Sequence, residues 1–198
     1  MIFGMTNGMI LGLPLQVFSV SVMELLQVLW SAEKGKYGGI ELSLSGLIVK
    51  IDSLNSYYYG GYLSNASMPD WNGRPRATSN LVRYKMDGNL WTKLAGPDDI
   101  RRAEGVMTFI PASDGGMLVY FGGVQDPYRN GTVIPQPMDQ IFLYDIISNK
   151  WHVQEANGTI PEHRRKFCAG AVWSKDRSSY NMYNSPWALL LPLFSPYS

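Results

Sequence analysis

The sequence predicts an all-β chain assembled from a repeated unit, and three observations carry that prediction. Short β-branched and aromatic runs alternate with Gly-, Pro- and Asn-rich turns. A set of markers recurs in one order at a period of about sixty residues. The composition agrees: 20 Gly and 12 Pro punctuate the chain, 12 Tyr and 6 Trp favour strands, and charged residues make up only 17%.

The first round begins at Leu47. Residues 47–51 form an apolar run, 52–55 a turn, and 56–59 an aromatic strand that ends in Gly60-Gly61. Residues 62–78 read as a polar loop containing Pro69, Gly73 and Pro75. A third strand covers 81–84, a turn 86–89, and Trp91 opens a fourth strand, WTKLA.

The second round follows with strands at 105–111 and 117–121, the latter ending in Gly122-Gly123. A loop with three prolines covers 124–139, a strand 141–144, a turn 147–150, and Trp151 opens WHVQEA. A third round starts with 164–173 and continues with a strand at 179–183. Gly61 and Gly123 are 62 residues apart, Trp91 and Trp151 are 60 apart, and Arg102 and Arg165 are 63 apart. Tyr84 to Trp91 and Tyr144 to Trp151 are both seven residues.

A double glycine after an apolar strand, then Tyr-Asp, then Trp seven residues past the Tyr resembles a kelch repeat. Gly122, Gly123, Tyr144, Asp145 and Trp151 match in full. Gly60, Gly61, Tyr84 and Trp91 match with Lys85 in the Asp position. The strands and long loop around these markers are similar to kelch proteins of the fungal cell surface. The resemblance covers about residues 47–183. It implies four-stranded antiparallel blades that bury one another's faces, with glycines at tight strand ends and the large aromatics filling the space between blades.

On that basis the expected fold is an incomplete kelch-type β-propeller: two four-stranded blades, part of a third, and an irregular or helical apolar N-terminal segment. Residues 1–45 form the apolar leader, 46–183 the kelch-repeat region, and 184–198 a non-repeat apolar tail. A closed propeller takes about four to eight blades. Past residue 183 the prolines 186, 192 and 196 stand where a further strand and double glycine would come. The expectation is a fragment of a larger propeller, with apolar faces left open to association.

Few chemistries are suggested. A net charge of +1 gives no electrostatic footprint for nucleic acid. The single cysteine, Cys168, excludes an internal disulfide and a CxxC metal site. His152 and His163 flank the connection after Trp151; with Cys168 they offer a metal set, but read more simply as surface loop residues and a small core thiol. No metal, catalytic residue or cofactor is assigned. Asp98-Asp99, Glu104, Asp114 and Glu155 read as loop or capping carboxylates. Arg101-Arg102 and Arg164-Arg165-Lys166 start successive units; the second arginine of each set is expected to make local contacts. The resemblance also implies an enzymatic alternative. Galactose oxidase is a kelch-type propeller with a copper centre, although its ligand contexts are not found here and a shared fold is not a shared activity.

The sequons Asn65, Asn130 and Asn157 are glycosylation candidates in expected loops. With the resemblance they favour a secretory-pathway, cell-surface or membrane location, a cytoplasmic one being the alternative. Residues 1–23 carry no charge and read as a signal peptide, a membrane segment or neither. Membrane association through this segment, or through parts absent from the sequence, stays open. The expected function is a non-catalytic scaffold binding a protein or a cell-wall glycan through residues 62–78 and 124–139, because function on rigid scaffolds sits in loops. The alternatives are a copper oxidase fragment and a product with no independent function.

Overall fold

In a computed structural model of the protein, residues 3–5, 47–50, 55–65 and 71–185 are described, the first two stretches and Ser185 by their backbone alone. The apolar and aromatic runs become strands. β1 is Phe3–Met5, β2 Leu47–Lys50, β3 Asn55–Tyr59, β4 Tyr62–Leu63, β5 Arg76–Ala77, β6 Leu81–Lys85, β7 Leu90–Leu94 and β8 Arg101–Ala103. β9 is Val106–Ile110, β10 Met117–Phe121, β11 Val124–Asp126, β12 Ile134–Pro135, β13 Gln140–Asp145, β14 Lys150–Glu155, β15 Cys168–Trp173 and β16 Tyr180–Ser185.

Two sheets have four antiparallel strands in meander order, β2-β3-β6-β7 and β9-β10-β13-β14. The third contains the antiparallel pair β15-β16, with β1 added parallel to β16. The strands follow the sequence reading closely. Among the described residues the sheets do not close into a ring, and no helix is long and apolar enough to cross a membrane.

The second sheet explains why its strands read as unbroken apolar runs. Alternate residues along a strand point to opposite faces, and both faces are covered. Leu118, Tyr120, Phe142 and Tyr144 pack with Tyr57, Tyr59 and Leu81 of the first sheet. Val119, Phe121, Ile141 and Leu143 pack with Phe167, Tyr180 and Met182 beside the third. A one-residue slip in register would exchange the two sets, so the two cores fix the pairing.

Two expectations change here. The N-terminal segment was expected to be irregular or helical, yet Phe3–Met5 runs as a strand along Tyr180, Asn181 and Met182; the rest of 1–45 and nearly all of 1–23 lie outside the described residues, so the signal and membrane readings do as well. The stretches 62–78 and 124–139 are not plain loops. After each glycine pair the chain forms a short hairpin, β4-β5 in the first case and β11-β12 in the second, where β8 joins β11. Leu63, Ala77, Val124 and Gln136 are buried at the hairpin bases. A buried backbone needs hydrogen-bond partners, and the hairpin ladders provide them.

Candidate functional site

The glycine pairs bring successive units together through the main chain. The Gly61 N–H donates to the Arg102 carbonyl (2.9 Å), and the Gly123 N–H donates to the Arg164 carbonyl (2.8 Å). Glycine is required for this approach. Gly60 and Gly61 have φ of 70° and 85°, Gly122 and Gly123 of 66° and 83°, a region that side chains disfavour. A Cβ on Gly60 would stand 2.5 Å from the Arg102 oxygen, and one on Gly123 would run into Gly105 N and Ala103 O. The link spans 41 residues in both units, so Arg102 corresponds to Arg164, not to Arg165 as the sequence spacing suggested.

The arginines then diverge. Arg102 is fully buried. Its guanidinium donates to both carboxylate oxygens of Asp98 (2.6 and 2.8 Å), to the Ile100 carbonyl (3.0 Å) and to Tyr59 Oη (3.5 Å). Its Nε donates to Gln136 Oε1 (3.0 Å), and Gln136 in turn donates to Gln140 (2.7 Å). The guanidinium lies 4.3 Å from the Phe142 ring centre. Burial works to raise the Asp98 carboxyl, but the hydrogen bonds and charge of Arg102 outweigh it, so the group lies below its ordinary value. Burial raises the Tyr59 phenol to about 12 against the pull of Arg102. Arg164 instead donates to Asn184. Arg165 and Lys166 both pair with the buried Glu104. Asp98 caps its loop as read, accepting from the Ile100 N–H (2.9 Å), and is an ion-pair partner as well; Glu104, read as a loop or capping carboxylate, is an ion-pair partner.

The Tyr and Trp positions also repeat in space. Tyr84 donates to Asn89 (3.0 Å) and Tyr144 to Asn149 (2.8 Å), with both asparagines in the left-handed region. Tyr84 lies against Trp91 (ring centres 4.4 Å apart), and Tyr144 against Trp151 (5.1 Å). The Trp151 indole N–H donates to the Ala95 carbonyl of the preceding unit (2.8 Å). Asp145 caps its turn, accepting from the N–H groups of Ile147 (2.9 Å) and Ser148 (2.8 Å); the Ser148 N–H holds its carboxyl below the usual range. Lys85, in the equivalent place, pairs with Asp87 (3.4 Å).

The two long stretches come together near the base of the first hairpin. A Cβ on Gly131 would lie 3.2 Å from the Pro75 carbonyl, so the second loop runs close to the residue that precedes β5; residues 66–70 lie outside the described residues. Buried Asp126 accepts from the N–H groups of Asn130 (3.2 Å) and Gly131 (2.9 Å), which fixes the second tip. Tyr128 there is 71% exposed. On the first stretch, Arg76 stands 5.8 Å from the Trp71 ring centre, and the Trp71 N–H donates to the Arg74 carbonyl (3.2 Å).

Asn65, Asn130 and Asn157 are all exposed, and the Asn130 side chain accepts from the Thr132 N–H (2.8 Å). His152 lies on β14, not in a loop, and Cys168 is exposed, not a core thiol, because the edge strand β15 begins there. Among the described residues no three His, Cys, Asp or Glu side chains come together as a metal site. Sequence reasoning missed Asp126 and Gln136. Neither lies in a motif, and the only signal was Pro and Asn-Gly turn chemistry around them.

No protein-family model matches the chain. A Kelch repeat-containing protein of Arthroderma benhamiae is 25% identical over 201 residues, taking in 79% of this chain and 29% of the relative. Among solved structures, a fungal alcohol oxidase of the AA5 family in complex with copper aligns at 20% identity with a TM-score of 0.46, covering 67% of this chain and 26% of that one. The chain thus spans less than a third of the relative's length, and over most of its own length it is similar to a kelch-repeat protein.

Proposed function

We propose that the chain is a non-catalytic scaffold, an incomplete kelch-type propeller of two blades and part of a third, which holds a glycan or protein ligand on the surface made by residues 62–78 and 124–139. The observation that carries this reading is the division of labour between motif and tips. The repeated glycines, tyrosines and tryptophans are occupied in turns and in the joints between units, while Pro75 beside β5 and Gly131 of the second stretch bring two successive units together near the half-buried Trp71 and the exposed Tyr128. An exposed aromatic such as Tyr128 on a rigid base is a common means of binding at low entropic cost.

The test is binding to a panel of cell-wall polysaccharides and extracts, with Trp71→Ala and Tyr128→Ala compared against the parent chain. Both variants are expected to lose binding while keeping the parent's circular dichroism. Unchanged binding in both would overturn the reading. Copper bound one-to-one by purified protein would favour the oxidase alternative instead. A location in the secretory pathway is part of the proposal, supported by the exposure of all three sequon asparagines. A mobility shift on glycosidase treatment checks it.

A further inference from the structure

We infer that Asn157 is a self-modifying site, losing its side-chain nitrogen as ammonia to become aspartate or isoaspartate, while the fold withholds the same reaction from Asn130. The site is independent of the ligand surface. Asn157-Gly158-Thr159 and Asn130-Gly131-Thr132 are identical triplets, so their local chemistry is matched and the structure tells them apart. The attacking group in each is the glycine nitrogen, which no side chain shields. Asn157 and Gly158 are both exposed, in the connection between β14 and β15. Gly158 has φ 91°, and a Cβ there would meet nothing within 4 Å. Among the described residues neither Asn157 nor Gly158 makes a hydrogen bond. Asn130 is clamped instead. Its N–H and that of Gly131 donate to the buried Asp126 carboxylate (3.2 and 2.9 Å), and its side-chain oxygen accepts from the Thr132 N–H (2.8 Å). Attack requires the Gly131 nitrogen to give up its proton, and a carboxylate accepting from that N–H holds the proton in place. Asn72-Gly73 is a further such pair, but Arg74 follows it and a Cβ on Gly73 would lie 3.6 Å from Trp71 Nε1, so it is not a matched comparison.

The reaction needs only water. The deprotonated Gly158 nitrogen bonds to Asn157 Cγ, the bond from Cγ to Nδ2 breaks, and the nitrogen leaves as ammonia with the proton returned to it. Water then opens the cyclic imide at either carbonyl. One opening gives aspartate; the other gives isoaspartate, with the main chain routed through the former side chain. Either product removes one positive charge from the balance of a chain whose net charge is +1. Isoaspartate also adds a carbon to the connection between two anchored points, the Ala156 N–H on the Asp139 carbonyl (2.7 Å) and the Arg164 carbonyl on the Gly123 N–H. Attachment of a glycan uses the same Nδ2 atom, so a sugar on Asn157 blocks the loss of ammonia.

The experiment incubates the full chain, made in a host that attaches no N-glycans, at mildly alkaline pH, and follows each asparagine by peptide mass mapping. Asn157 is expected to convert roughly tenfold faster than Asn130 or more, the rate equivalent of one hydrogen bond to a carboxylate. Isoaspartate should be found at position 157. The same incubation in concentrated urea removes the fold, and the two triplets should then convert at similar rates. Gly158→Ala places a side chain beside the attacking nitrogen and should slow Asn157 while leaving Asn130 as it was. Equal rates in the folded chain would overturn the inference. So would a difference that survives in urea, which would trace it to the flanking sequence and not to Asp126. Conversion of Asn157 undiminished in Gly158→Ala, with aspartate as the sole product, would show direct hydrolysis and sink the assigned mechanism.

Discussion

Arg102 shows how one side chain ties three parts of the chain together. It meets Tyr59 of the first sheet, Asp98 and Ile100 of the connection, and Gln136 of the second hairpin. Arg102→Ala leaves Asp98 and Gln136 without their main partner and should cost about 2–3 kcal/mol in chemical denaturation, less than the range for a fully buried pair because water reaches Asp98, which is 36% exposed. The pH dependence follows from Asp98. Its folded-state pKa is depressed, so its contribution is present above the unfolded carboxylate value and is lost as pH falls through the folded one. The parent should lose stability as the pH is lowered below about 4, and that loss should be smaller in Arg102→Ala; equal acid slopes would refute the assignment. Little of this was legible beforehand. The sequence shows a pair of arginines starting each unit, but Gln136 lies 34 residues from Arg102, and only the hairpin brings it there.

At the scale of the element, the strands were legible and the connections were not. Aromatic and β-branched runs announce strands because such side chains suit a pleated, buried surface, and both four-stranded meanders follow from that signal. The hairpins β4-β5 and β11-β12 have strands of two or three residues, too short for any alternation to show. The turn after Tyr144 allows a clean test. Asn149 holds φ 55° and accepts the Tyr144 hydroxyl. Asn149→Gly keeps the backbone and loses the hydrogen bond, whereas Asn149→Ala loses both. Thermal denaturation should rank them parent, then Gly, then Ala, with the Gly-to-Ala step about 1 kcal/mol. An alanine variant as stable as the glycine one would show that the left-handed turn is not required.

For the molecule as a whole, the second sheet is the protected centre, because it is packed on both faces by its neighbours. The third sheet has two long strands and the three-residue β1, and Val172 and Trp173 on its edge strand are each 43% exposed. Regions with fewer buried partners open at lower free energy. Hydrogen exchange should therefore reach the amides of β15 and β16 well before those of β10 and β13. Uniform protection across the sheets would contradict that ranking. The repeat period foretold this layered arrangement, since one unit cannot bury its own faces. It did not foretell which unit would be covered on both sides.

The joint between units has a consequence for how such a chain can change. Each joint is a main-chain N–H behind a glycine meeting a main-chain carbonyl 41 residues on, so no side chain takes part in the bond itself. Arg102 and Arg164 supply the same oxygen while sending their side chains to unrelated partners. Fastening and display are thus separate inheritances. A duplicated unit can dock as soon as it exists, and its tip is then free to drift toward a new ligand without loosening the stack.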